Sequence, residues 1–148
     1  AGHAGMAGGQ AIDLDSVGKR LDEAQLRQMH RLKTGALLEA SVAMGAMCGQ
    51  ASAESLQCLA AYGHAIGVAF QVIDDVLDVT ADSATLGKTV GKDAVQDKPT
   101  FVSIMGLDRS RQYADELLKQ ALQALQSSGL TATDHLRDLA WQVVGRHH

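Results

Sequence analysis

The chain has 148 residues, with 13 lysines and arginines against 17 aspartates and glutamates, a net charge of −4. It therefore lacks the basic field that holds a nucleic-acid backbone, and no nucleic-acid partner is expected. One proline and 3% aromatic residues, in a chain rich in Ala, Leu, Gln and Met, favour an all-α fold over a sheet, while Cys48 and Cys58 have neither zinc-site spacing nor the density of a disulfide scaffold, which suits a reducing cytoplasm.

In chain order, residues 1–10 are rich in Gly and Ala and read as the tail of a helix ending at Gly8-Gly9. No capping signal precedes them, so the chain is expected to begin at a cut edge. Asp22 and Gln25 form a capping pair. Leu26, Met29, Leu37, Ala40 and Met44 then recur at helical spacing, predicting one helix over about residues 23–47. A second helix, over about 53–79, is apolar around most of its circumference and belongs at the centre of a bundle. Its most apolar stretch, 59–73, is interrupted by His64 and Gln71 and is short for a bilayer span. With no basic leader in the sequence, a soluble protein without a membrane anchor is expected. Over 80–98 the pattern fails: Asp82, Gly87, Gly91, Asp93 and Asp97 with three lysines predict a flexible polar loop ending at Pro99. Helices follow over 100–107, 110–126 and 133–144, the last behind a Thr131-x-x-Asp134 start signal.

The chemistry concentrates on the second helix. At about 100° per residue, Asp78 lies about 40°, Gln71 about 60° and Asp75 about 100° from Asp74. Like charges gathered on a buried helix either rise in pKa or attract cations. Hard oxygen ligands suit Mg²⁺, with Mn²⁺ as a substitute, and Mg²⁺ completes its shell with water and substrate phosphate. The bland alternative is a solvated acidic helix end, which the DDxxD string taken alone favours. Lys33 changes the balance, because it sits within about 60° of the apolar stripe on the preceding helix. It either snorkels along apolar surface or shares a phosphate and metal site with the aspartates. Lys88, Lys92 and Lys98 follow in the loop as mobile point charges for a diphosphate, Lys92 reading better as half of a solvated pair with Asp93. Gly87-Lys88-Thr89 is not a P-loop ending, since Asp82 stands where its first glycine is required. Ala60, Gly63 and Gly67 narrow the face below Asp74, either for close helix approach or as a groove for an apolar chain. His30 and His64 read as packing or partly exposed residues.

Five ordered segments carry a resemblance. Gly8-Gly9-Gln10-Ala11-Ile12-Asp13-Leu14 resembles a GGQ-x-x-DL motif, and Lys33-Thr34 a KT pair. Phe70 to Asp78 resembles FQ-x-x-DD-x-x-D, followed by Gly87-Lys88, Gly91-Lys92-Asp93 and Lys98 as a lysine-bearing loop. Together they resemble the C-terminal half of a short-chain isoprenyl diphosphate synthase of the farnesyl type. The resemblance implies an all-α bundle around a deep central cavity, and condensation of isopentenyl diphosphate with an allylic diphosphate. It implies Asp74, Asp75 and Asp78 as ligands of Mg²⁺, and Lys33 and Lys88 as binders of the allylic diphosphate. Thr34, Gln71 and the Lys33 carbonyl would face the carbocation, Phe70 the isopentenyl unit, and Lys98 the loop or the diphosphate; Arg146 would match a basic residue near isopentenyl diphosphate. A cytoplasmic homodimer is implied for the full-length protein. The family's first aspartate-rich motif does not occur in this sequence, so the 148-residue chain alone is expected to be inactive. Farnesyl and geranylgeranyl synthases remain open, as does a non-catalytic helical partner subunit in which Lys33 and the aspartates form an ion-pair network.

Overall fold

The computed structural model describes residues 1–85 and 99–146, with the side chains of 81–85 outside the description. Among the described residues the fold is all helical: α1 (Met6–Asp15), α2 (Glu23–His30), a π-helical turn (Arg31–Gly35), α3 (Ala36–Cys48), α4 (Ala53–Thr85), α5 (Phe101–Met105), α6 (Leu107–Ser127) and α7 (Asp134–Gly145).

Gly8 and Gly9 lie inside α1, where the sequence suggested a helix end. The reason is space, because a Cβ on Gly9 would stand 2.1 Å from the Lys33 backbone nitrogen and one on Gly8 would stand 1.8 Å from the His3 carbonyl oxygen. The second helix starts as predicted. Asp22 accepts the Gln25 N–H at 2.8 Å while Gln25 Oε1 accepts the Asp22 N–H at 3.0 Å, a complete capping box.

The predicted helix over 23–47 is continuous but changes phase. The π-helical turn inserts one residue into the helical repeat, so the apolar stripe breaks there. Leu26 and Met29 are buried, whereas Leu37 and Met44 are exposed. Downstream the inward face passes to Gly35, Val42 and Ala46. α3 consequently buries no residue, although most of its side chains are apolar.

α4 is the axis of the fold, with Tyr62, Ala69, Val72, Ile73 and Val76 almost fully enclosed. It continues to Thr85, six residues beyond the predicted end, which shortens the predicted loop; residues 86–98 lie outside the described residues. By length and composition its first 28 residues could cross a membrane, so shortness does not distinguish it from a span. More than half of its most apolar window is covered by neighbouring helices. α3 and the π turn lie directly over Gly63 and Gly67, since a Cβ on Gly67 would meet the Gly35 Cα at 3.0 Å and one on Gly63 the Glu39 Cα at 3.2 Å. Close approach, not a groove, explains these small residues.

Thr100 caps α5 by accepting the Ser103 N–H at 3.0 Å. Gly106, at φ +84°, then breaks the chain between α5 and α6. α7 runs from Asp134 to Gly145, within one residue of the predicted 133–144 at each end, but its N-cap is Thr133 and not Thr131, and Thr133 makes no side-chain cap. Polar ties fasten α4 to this half: Tyr62 donates to the Leu136 carbonyl at 2.7 Å and Ser55 to the Ser128 carbonyl at 2.8 Å.

His30 is a buried imidazole stacked on Phe101, with ring centroids 5.6 Å apart. Burial, and then the Lys33 ammonium, hold its pKa at about 4 instead of 6.5, Asp13 pulling the other way. The unfolded chain thus binds a proton that the folded chain does not, and stability rises with pH across that window. Relative to His30→Phe, the wild type should gain about 2–3 kcal/mol of unfolding free energy between pH 4 and 6.5, read by urea denaturation. Gly9→Ala should cost about 1–3 kcal/mol by overpacking. Gly45→Ala, on α3 with nothing within 4 Å of the added Cβ, should instead stabilise by about 0.5–1 kcal/mol through helix propensity.

Candidate functional site

The π turn carries Lys33 and Thr34, and each finds a different neighbour. Lys33 Nζ lies 2.7 Å from Oδ2 of Asp13 on α1, and Asp13 is buried. The inward lysine therefore pairs with the aspartate of the Gly8–Leu14 motif and not with the carboxylates of α4. A lysine within an apolar stripe requires a counter-charge, and Asp13, four residues or one helical turn beyond the Gly9 contact, supplies it. Thr34 Oγ1 donates to Gln71 Oε1 on α4 at 3.4 Å.

The aspartates of α4 separate into two environments. Asp74 is half-buried and lies 3.2 Å from Arg146 Nη2 at the end of α7. Burial raises its pKa, the Arg146 guanidinium opposes the rise and Asp78 adds to it. Asp78, one turn on, is exposed. Asp75 turns inward and is only 5% exposed. Its Oδ2 accepts the Phe101 N–H at 2.8 Å and its Oδ1 accepts Gln71 Nε2 at 3.3 Å. Burial pushes its carboxyl up to about 6, the two donors offsetting part of the rise. The 100° step between adjacent helical residues, which the sequence reading folded into one acidic face, here divides Asp74 from Asp75.

Phe70 completes the outer group. The Arg146 guanidinium sits 4.4 Å from its ring centroid, a cation–π contact, so Phe70, Asp74 and Arg146 form one cluster at the junction of α4 and α7. Lys88 and Lys98 lie outside the described residues. Sequence reasoning gave no role to Asp13 or to the Phe101 N–H, and it placed Arg146 near a substrate without its contact to Asp74.

Chemically, the outer cluster offers hard carboxylate oxygens one helical turn apart, beside a guanidinium. No three acidic, His or Cys side chains converge into a closed cage among the described residues. Mg²⁺ does not require one, since it takes one or two protein carboxylates and fills its shell with water and phosphate oxygens. The donor set fits that ion.

Residues 3–137 match the polyprenyl synthetase family. The chain is 54% identical over 129 residues to the probable farnesyl diphosphate synthase of Bradyrhizobium diazoefficiens, covering 84% of this chain and 39% of that protein. It is 44% identical to the farnesyl diphosphate synthase of Escherichia coli, covering 93% and 48% respectively. A solved geranyltransferase from Helicobacter pylori, complexed with magnesium and isoprenyl diphosphate, superposes at a TM-score of 0.71 with 34% identity, covering 95% of this chain and 46% of that one. The chain thus spans about half the length of the relatives it matches, and over that span it belongs to the polyprenyl synthetase family.

Proposed function

We propose that the full-length protein is a prenyltransferase that joins isopentenyl diphosphate to an allylic diphosphate, dimethylallyl or geranyl, to give farnesyl diphosphate. The observation that carries the proposal is the cluster on α4 and α7, in which the Asp74 carboxylate, the Phe70 ring and the Arg146 guanidinium stand together. The identity to farnesyl diphosphate synthases favours a farnesyl product.

Asp74 and Asp78 would hold Mg²⁺, which when bound neutralises charge on the departing diphosphate. Lys33, Lys88 and Lys98 would take the allylic diphosphate as point charges. Lys33 would do so from its ion pair with Asp13, its side chain being one-third exposed. With its hydrogen directed to Gln71, Thr34 Oγ1 keeps its lone pairs for a developing allylic cation. Such fixed oxygen dipoles stabilise charge without reorganising during the step. Phe70 would cover the isopentenyl double bond beside Arg146. Loss of a proton after the new carbon–carbon bond forms completes the product. The free thiols Cys48 and Cys58 suit the cytoplasmic homodimer that we include in this proposal.

Calorimetry with a non-hydrolysable diphosphate analogue tests the site on the 148-residue chain. Binding should require Mg²⁺, and Asp74→Ala should weaken it by about tenfold or more. Binding indifferent to Mg²⁺ and to that substitution would instead identify the aspartates as an ion-pair network. The 148-residue chain, incubated with Mg²⁺ and both substrates, should yield no product; measurable turnover would show that half the family's length suffices.

A further inference from the structure

We propose that Asp75 is a positioning residue and not a metal ligand: its buried carboxylate fixes the sense of the Gln71 amide and anchors the start of α5. The proposal deepens the functional reading above, on which it rests for the roles of Asp74 and Gln71.

Both oxygens of Asp75 are already engaged inside the protein. The Phe101 N–H that reaches Oδ2 belongs to the first turn of α5, where backbone donors have no intrahelical acceptor. Thr100 spends its own side chain on the Ser103 N–H, so Asp75 meets the need that the local cap leaves open. Oδ1 takes the Gln71 amide at 3.3 Å. An ionised carboxylate only accepts hydrogen bonds. Gln71 must therefore direct its NH₂ toward Asp75, which turns Oε1 the other way, toward the Thr34 hydroxyl. One carboxylate thereby links the π turn, α4 and α5 and decides which end of the Gln71 amide faces the substrate side. An asparagine at 75 would keep its one oxygen on the Phe101 N–H and so present its NH₂ to Gln71, which inverts the Gln71 amide while the packing stays nearly the same.

Three measurements separate this role from metal binding. In the 148-residue chain, Asp75→Ala should lower hydrogen-exchange protection of the Phe101 amide by about tenfold or more. In the full-length protein, Asp75→Asn should lower kcat about tenfold while KM for both diphosphates stays within about twofold. Half-saturating Mg²⁺ for Asp75→Asn should also stay within about twofold, whereas Asp74→Asn should raise it about tenfold or more. A Mg²⁺ requirement raised as much by Asp75→Asn as by Asp74→Asn would overturn the proposal, as would an unchanged Phe101 amide or an unchanged kcat. Should Asp74→Asn leave the Mg²⁺ requirement unaltered, the metal reading of α4 fails separately, and the Phe101 amide and kcat still decide the case of Asp75.

Discussion

The π-helical turn is held between two glycine backbones, and the placement of the site follows from that constraint. On one side Gly9 of α1 leaves no room for a Cβ against Lys33; on the other Gly67 of α4 meets Gly35 at the limit of contact. Each glycine has a polar residue four positions later on the same helical face, Asp13 after Gly9 and Gln71 after Gly67. Close backbone approach puts those polar groups within reach of consecutive residues of the turn, Asp13 at Lys33 and Gln71 at Thr34. A larger residue at either glycine would push its helix away and lengthen the polar contact that this helix makes with the turn.

Neighbouring aspartates serve opposite ends of this arrangement because a helix rotates by about 100° per residue. Asp74 looks toward α7 and retains access to solvent. Asp75 looks toward α5, where burial would penalise its charge without the two donors that meet it. One dipeptide thus supplies a solvent-accessible carboxylate and a buried internal acceptor, with the helix backbone as the only spacer.

Much of this was legible in the sequence. The capping pair Asp22 and Gln25, the central apolar helix and the all-helical class follow from local propensity and periodicity, and these signals survive packing. That Lys33 needs a counter-charge follows from its place in an apolar stripe, though the partner is Asp13 and not the aspartates of α4. What escaped was non-local. Periodicity cannot show a π insertion, because the residues on either side keep helical spacing within their own segments, so Leu37 and Met44 were assigned to a face that the insertion turns outward. Gly8-Gly9 resembled a stop signal because glycine is ambiguous between freedom of φ and absence of a Cβ, and only the position of Lys33 decides between them. The partners of Asp75 and Arg146 lie across helices separated by many residues, and no spacing rule reaches that far.

α3 carries a further consequence. Leu37, Met44 and Met47 stand in water on a helix that buries nothing of its own. Covering large apolar side chains of this kind contributes on the order of 1.5–3 kcal/mol each. A separate chain that covers them would add its association free energy to that of the fold, and the apparent melting temperature of that complex would then depend on concentration, by mass action as much as by internal contacts.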